Sequence, residues 1–320
     1  MAYLDRLKVF YGRYGNELAH EVCERLDIEP GRSSTFKFKN TNSFVKIEEN
    51  VRDMDCFVIH TIGDNVNDDV MEMLIMIDAL KRASARRVTA VMPYYYYARS
   101  DKKDQPRISI TARLLADLLT AAGVDRIIAI DLHSEQVMGF FTLPVDQLIA
   151  LPVICDYIKS LKLENVVVVS PDAGGAKRAR AFSWALEADL AIIDKKRDGN
   201  KDRSAVYGII GDVKGKVAIL VDDEIDTGGS IVNSVNALLE AGVTKVYAAC
   251  THPVFSANAI EKLSNSQLEQ VIVTNTISIR GKYDPERIKV LSIGKLLSKA
   301  IRRIHEGTSV SALFSKYKTI

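Results

Sequence analysis

The chain is poor in several features that would settle its class at once. Its 320 residues hold four cysteines, Cys23, Cys56, Cys155 and Cys250. They are far apart and lack CxxC spacing, so they read as scattered thiols in a reducing compartment, not as a disulfide framework or a zinc site. Neither sign of charge dominates: the net charge is +2, with 26% charged residues. Nothing global points to nucleic acid or a membrane surface, and any anion must be met by local basic clusters. Long hydrophobic runs are missing too. The most apolar helical stretch, Met71–Leu80, contains Glu72 and Asp78 and is too short to span a bilayer. The N-terminal residues MAYLDRLKVFYGRYGNELAHEV are broken by charges and carry no signal-peptide core, so a soluble cytoplasmic protein is expected, with neither nucleic acid nor membrane as a partner. Neither G-x-x-x-x-G-K-[ST] nor G-x-G-x-x-G occurs, which removes P-loop kinases and Rossmann dehydrogenases.

What is present is apolar residue in quantity, 47%, enough for one large or two ordinary cores. Strand-like runs alternate with helix-like segments: Phe57–His60, Val88–Met92, Ile127–Ile130, Val166–Val169, Ala191–Ile193, Val217–Val221, Val246–Cys250 and Val271–Val273. That alternation predicts an α/β chain with mainly parallel sheets. An internal similarity divides it. Ala122–Ala129 (AGVDRIIA) reappears as Ala241–Ala248 (AGVTKVYA), and a histidine follows each copy, His133 and His252. Upstream, Arg87–Met92 parallels Lys216–Val221, with ten more residues between the landmarks in the first half, falling in Tyr94–Ile108. Any two αβ units share some likeness, but matching order and near-matching spacing point to duplication. Two similar α/β domains are expected, 1–146 (joined by the tail 303–320) and 147–302.

The chemistry gathers around Lys216–Ser230, KVAILVDDEIDTGGS. An apolar run ends in Asp222 and Asp223, and Asp226-Thr227-Gly228-Gly229-Ser230 then leads into a helix-like pattern, Ile231–Leu239. This reads as a buried strand, an acidic turn and a Gly-rich helix entry. Glycines permit a tight turn and close approach to a ligand. Hydroxyls and open amides at a helix start favour phosphate, whereas the carboxylates suit sugar hydroxyls or a divalent cation. Other strand ends carry Ser170–Arg178 (SPDAGGAKR), whose Lys177 and Arg178 favour an anion site, and Asp131-Leu132-His133. Asp194–Gly199 (DKKRDG) is a strand leading into a cationic loop that can neutralise charge on a transferring phosphoryl group. Four tyrosines, Tyr94–Tyr97, precede Arg99, so an aromatic there can stack on a base and Arg99 can hold phosphates. A βα turn, a capping histidine, a surface charge run and a loop packed at a subunit interface are the bland readings of these stretches.

Taken together they resemble the ribose-phosphate diphosphokinases, the phosphoribosyl pyrophosphate synthetases. The likeness runs over nearly the whole chain: Glu72–Ala85, Pro93–Arg99, Asp131–His133, Gly139–Phe141, Ser170–Arg178, the VDDxxDTGGS loop, Thr251–Pro253 and Ser309–Ser311. The resemblance implies two tandem type I phosphoribosyltransferase-like domains with mainly parallel sheets, pseudo-twofold related, with the active site between them. It also implies a homo-oligomer, a hexamer, whose adenine-binding hairpin comes from a neighbouring subunit. The implied reaction needs Mg²⁺: ribose 5-phosphate attacks the β-phosphorus of ATP and AMP leaves. Lys195 and Arg197 are the implied catalytic residues. Ribose 5-phosphate falls to Arg197, Asp222, Asp223, Asp226, Thr227, Gly228, Gly229 and Ser230, the two carboxylates meeting hydroxyls directly or through a metal. ATP falls to Phe38, Asn40, Thr41, Asn42, Arg99, Ser100 and His133, and the metal to His133 and Asp172. Regulation by ADP and inorganic phosphate is implied at Ser309–Ser311 and Lys102-Lys103.

Two segments depart from the family pattern. Phe38-Lys39-Asn40-Thr41-Asn42 stands where the hairpin ordinarily ends in a Glu that accepts from the adenine amino group, and Arg99-Ser100 stands for an Arg-Gln pair. Either the enzyme is active, with ATP or a shifted nucleotide preference, or it is a weak paralogue serving as a regulatory or structural subunit. The matches at Lys195, Arg197, Asp172 and Asp222 favour activity. A phosphoribosyltransferase consuming the diphosphate sugar and a pure binding module are the remaining alternatives.

Overall fold

The computed structural model describes residues 6–63, 65–197 and 204–317, with the side chains of 195–207 outside that set. It contains two compact units. One comprises the residues up to Ile149 with Thr276–Ser278 and Ile293–Ser315; the other comprises Ala150–Asn275, Ile279–Ser292 and the residues after Ser315.

In the first unit the chain runs β1 (Leu7–Tyr11), α1 (Asn16–Leu26), β2 (Ser33–Lys37), β3 (Ser43–Ile47), β4 (Asp55–Ile59), α2 (Val66–Arg82), β5 (Arg87–Met92), α3 (Thr111–Ala122), β6 (Arg126–Ile130) and β7 (Val145–Leu148). A five-stranded parallel sheet takes the order β1-β4-β5-β6-β7, the order of the chain itself. Its central strands are near-continuous apolar runs because both faces are covered. Asn65 caps α2 by accepting from the Asn67 amide at 3.1 Å, and Asp68 and Asp69 sit in its first turn, where the helix dipole favours them. β2 and β3 form a separate antiparallel hairpin against α2.

The second unit continues with α4 (Leu151–Ser160), β8 (Val166–Ser170), α5 (Ala176–Leu186), β9 (Asp189–Arg197), β10 (Ser204–Ile210), β11 (Val217–Ile225), α6 (Gly229–Glu240), β12 (Lys245–Pro253), α7 (Ala259–Ser264), β13 (Gln270–Thr274) and β14 (Ile288–Leu291). Its seven-stranded sheet is ordered β10-β9-β8-β11-β12-β13-β14 and is parallel except at the β9–β10 edge. A core lies between this sheet and α6, where Val235 and Leu238 share one buried cluster with Val169, Leu220, Val246 and Val271.

The chain then returns to the first unit as α8 (Gly294–His305). Leu297, Ala300, Ile301 and Ile304 recur at helical spacing and are buried. Asp55, fully buried at the start of β4, fastens the end of this helix. It accepts from Arg87 and lies 2.8 Å from His305 Nδ1, while Arg87 also donates to the Ile304 carbonyl at 3.1 Å.

The duplicated sequence occupies equivalent places. β5 and β6 are neighbours in one sheet, as β11 and β12 are in the other. Each copy turns from helix to strand through a left-handed glycine, Gly123 at φ 97° and Gly242 at φ 89°.

Candidate active site

In the second sheet the chain passes from β8 to β9 on one side and then crosses to β11 on the other. A reversal of this kind leaves a crevice outside the carboxyl ends of the two strands, the usual ligand position in open α/β sheets. Asp172 follows β8, and Asp222 and Asp223 belong to β11. The sequence pattern placed these two carboxylates in a turn. They are in fact strand residues, because β12 extends alongside as far as Pro253 and pairs Asp222 with Cys250, Glu224 with His252 and Ile225 with Pro253.

The two carboxylates differ in exposure: Asp222 keeps 29% of its side chain exposed and Asp223 only 7%. Partial burial and the neighbouring Asp223 push the Asp222 carboxyl well above the usual carboxylate range, while the nearby Arg178 charge opposes the shift. The Asp223 amide donates to Asp222 Oδ1 at 2.9 Å.

Beyond β11 the backbone turns through Asp226–Gly228 into α6. Gly228 adopts φ 74°, a left-handed conformation that glycine alone takes without strain, and no side chain caps the helix start. The opening amides of α6 therefore face an anion's natural position, with Thr227 and Ser230 exposed beside them. Asp226 is held from a distant part of the chain. Ser256, from the connection after β12, donates a hydrogen bond to Asp226 Oδ1, and its amide donates to the Asp226 carbonyl at 3.1 Å. No local signal in the sequence could have linked Ser256 to a loop thirty residues away.

At the end of β8, Asp172 is exposed and accepts from the Gly175 amide at 3.0 Å, closing the turn into α5. Lys177 and Arg178 looked like anion binders in the sequence. Arg178 instead turns to the acidic pair, with Nη1 2.9 Å from Asp223 Oδ1 and 3.6 Å from Asp222 Oδ1. Two adjacent carboxylates attract a cation more strongly than an open turn does.

The first unit holds the nucleotide candidates. Arg99 is exposed and Ser100 half-buried after β5. Three of the four tyrosines before them cannot offer a ring to a base: Tyr94, Tyr95 and Tyr96 are buried in the core, and Tyr97 alone is half-buried. The Tyr95 hydroxyl donates to the Ala112 carbonyl at 2.9 Å, and the Tyr96 hydroxyl lies 2.7 Å from His60 Nδ1. His60 Nε2 lies 3.5 Å from Glu72. Burial opposes ionisation of Glu72, but the His60 ring and the Arg13 amide hold its carboxyl below the usual range. After β6, Asp131 takes φ 40° and His133 is exposed in the following loop. Its counterpart His252 is buried within the longer strand β12, so the two histidines of the repeat have different environments.

Phe38 is 49% exposed and packs edge-on against Phe36 and Phe44 at the hairpin end. Asn40, Thr41 and Asn42 form its tip, with Thr41 at φ 70° and the Asn42 amide donating to Asn40 Oδ1 at 3.2 Å. Lys195 and Arg197 lie in the last stretch of β9, and their side chains, like residues 198–203, lie outside the described residues. Among the described residues no group of three His, Cys, Asp or Glu side chains is gathered to hold a metal.

Comparison with known proteins resolves what this arrangement belongs to. A family described as the N-terminal domain of ribose phosphate pyrophosphokinase matches residues 7–123, and the phosphoribosyl synthetase-associated domain matches 198–315. Ribose-phosphate pyrophosphokinase of Bacillus subtilis is 46% identical over 309 residues, 97% of each chain. The chain belongs to the ribose-phosphate pyrophosphokinase family. Ribose-phosphate pyrophosphokinase A of Dictyostelium discoideum is 48% identical over 98% of this chain and 99% of its own. The crystal structure of phosphoribosylpyrophosphate synthetase from Mycobacterium smegmatis superposes with a TM-score of 0.89 at 43% identity, covering 95% of this chain and 100% of that one. The fold is accordingly that of this pyrophosphokinase family, two phosphoribosyltransferase-type α/β domains with mostly parallel sheets. Among the described residues no helix is long and apolar enough to cross a membrane.

Proposed function

We propose that the protein transfers the diphosphoryl group of ATP to the anomeric hydroxyl of ribose 5-phosphate, giving phosphoribosyl pyrophosphate and AMP. The observation that carries this reading is the acidic end of β11 running directly into an uncapped helix start, on a chain matched almost end to end by ribose-phosphate pyrophosphokinases. A sugar phosphate needs both halves of that arrangement: carboxylates for its hydroxyls and backbone amides for its phosphate.

In the proposed reaction the anomeric oxygen forms a bond to the β-phosphorus of ATP. The bond from that phosphorus to the α–β bridging oxygen breaks, AMP leaves with the electron pair, and the hydroxyl proton passes to solvent. Asp226–Ser230 hold the 5-phosphate, and Asp222 and Asp223 define the hydroxyl end of the sugar. Lys195 and Arg197 neutralise charge on the transferring group, Arg197 also meeting the sugar phosphate, and Arg99, Ser100 and His133 hold nucleotide phosphates. Most of the acceleration is then positioning and charge neutralisation.

Mg²⁺ is the proposed cofactor. The donor set fits it: Asp172 is an exposed carboxylate at a strand end, and few protein ligands suit an ion that keeps several waters. When bound it would supply charge neutralisation on the triphosphate, and Asp172 and His133 are the residues that would hold it, partly through water. The hairpin residues Phe38, Asn40, Thr41 and Asn42 are proposed for the base, in a hexamer of this chain. Ser309–Ser311 and Lys102-Lys103 are proposed for ADP and inorganic phosphate. Sedimentation of the purified protein tests the assembly, and phosphate activation with non-competitive ADP inhibition tests the regulation.

Phosphorus NMR of the protein with Mg²⁺, ribose 5-phosphate and a panel of triphosphates tests the activity. AMP appearing with a new diphosphate ester is the expected result, and the ranking of triphosphates reads the hairpin. A folded protein that binds ribose 5-phosphate but turns over no triphosphate overturns the proposal.

A further inference from the structure

Arg178 stands where helix energetics disfavour a cation. It is the third residue of α5, at the positive end of the helix dipole, beside a second cation, Lys177, and with no acidic residue in that first turn. A local rule broken at a strand's carboxyl end points to a function served there. The return is visible in the geometry: a single nitrogen, Nη1, lies 2.9 Å from Asp223 Oδ1 and 3.6 Å from Asp222 Oδ1. Asp223, nearly buried, is held against this cation, while Asp222 remains the more accessible carboxylate of the two. Asp222 Oδ1 is further fixed by the Asp223 amide at 2.9 Å. The acidic pair is therefore a built unit of unequal members, not two equivalent sugar ligands.

We propose that Arg178 is a positioning residue of the sugar site: hydrogen-bonded to Asp223 and ion-paired with Asp222, it holds the acidic pair in the arrangement in which Asp222 receives the vicinal ribose hydroxyls. This rests on the assignment of ribose 5-phosphate to the β11–α6 site. In this role Arg178 acts through the carboxylates, and its charge offsets the repulsion that two neighbouring carboxylates otherwise exert on each other. A carboxylate without this anchor samples other rotamers, and the sugar must then select the competent one.

Steady-state kinetics of Arg178→Gln and Arg178→Lys test the proposal. In Arg178→Gln the KM for ribose 5-phosphate is expected to rise about ten- to hundredfold, the scale of one lost hydrogen bond to a charged group, with the KM for ATP held within about twofold. Arg178→Lys is expected to recover part of that loss and to remain about three- to tenfold raised, since a point charge on a shorter reach cannot replace the guanidinium. An unchanged KM for ribose 5-phosphate in folded Arg178→Gln, or equal rises for both substrates, overturns the inference. Should Arg178→Gln fail to fold, the Lys variant decides alone: wild-type constants there overturn the proposal, and a selective rise for ribose 5-phosphate sustains it. Failure of the underlying reading is separable, because it shows in the wild-type protein as an absence of ribose 5-phosphate binding or turnover.

Discussion

Gly228 is the residue on which the proposed phosphate loop turns, and Gly228→Ala is the sharpest test of it. At φ 74° a Cβ costs about 1–2 kcal/mol. That Cβ also meets Leu263 Cγ at 3.3 Å and the Ala259 carbonyl at 3.7 Å, so the loop has little room to absorb it in place. Either the strain is kept, and stability falls by that amount, or the loop relaxes and the opening amides of α6 move off the phosphate. At tenfold per 1.4 kcal/mol, full relaxation corresponds to a rise of about 5- to 30-fold in the KM for ribose 5-phosphate. Gly215 is the matched control. Its φ is 72°, nothing lies within 4 Å of its Cβ position, and it sits in the turn before β11, at the opposite end of that strand. Gly215→Ala is expected to lose about 1–2 kcal/mol in urea denaturation with KM unchanged, and Gly228→Ala to lose stability and raise KM together. If the two variants behave alike in the kinetic assay, the β11–α6 turn is not where the substrate phosphate binds.

Other perturbations probe different parts of the molecule. Arg87→Met leaves the fully buried Asp55 with His305 alone, and is expected to lower the unfolding free energy by about 3–5 kcal/mol. Arg6→Ala, at an ion pair whose side chains are 61% and 55% exposed, should change it by no more than about 1 kcal/mol, and the same urea titration compares them. Burial pushes the thiols of Cys23, Cys56 and Cys155 up to about 12. An unfolded thiol ionises near 8.5, so between about 9 and 12 the unfolded chain binds fewer protons and stability falls as pH rises, by up to about 1.4 kcal/mol per pH unit per thiol. Cys56→Ala should flatten that slope by one thiol's share, and an unchanged slope contradicts the assigned cause. Lys195→Ala is expected to lower kcat far more than it raises the KM for ribose 5-phosphate, because its charge matters most in the transition state; equal losses in both would argue against that role.

The long apolar strands were readable from sequence because parallel strands buried on both faces need no alternation. Val166–Val169 and Val217–Val221 appear within β8 and β11. The strands that escaped notice, such as β2, β7, β10 and β14, are short, polar or at sheet edges, where little apolar surface is buried and the pattern is weak. The tyrosine run misled for the opposite reason. Aromatic residues beside an arginine look like a binding platform, yet burial claimed three of the four.

By itself the sequence determined the α/β class, the internal repeat, the position of the Asp222–Ser230 motif and the family. These follow from contiguous residues, whose spacing fixes periodicity, turns and loop chemistry. Tertiary structure decided which groups meet across the chain. Only strand order shows that β8 and β11 flank the reversal of the sheet, bringing Asp172 and the acidic pair to one crevice. Only packing shows that Arg178 serves Asp223 of β11 from helix α5, that Ser256 braces Asp226, and that His252 is buried while His133 is exposed. Such pairings depend on distance in space, and a one-dimensional pattern carries no record of it.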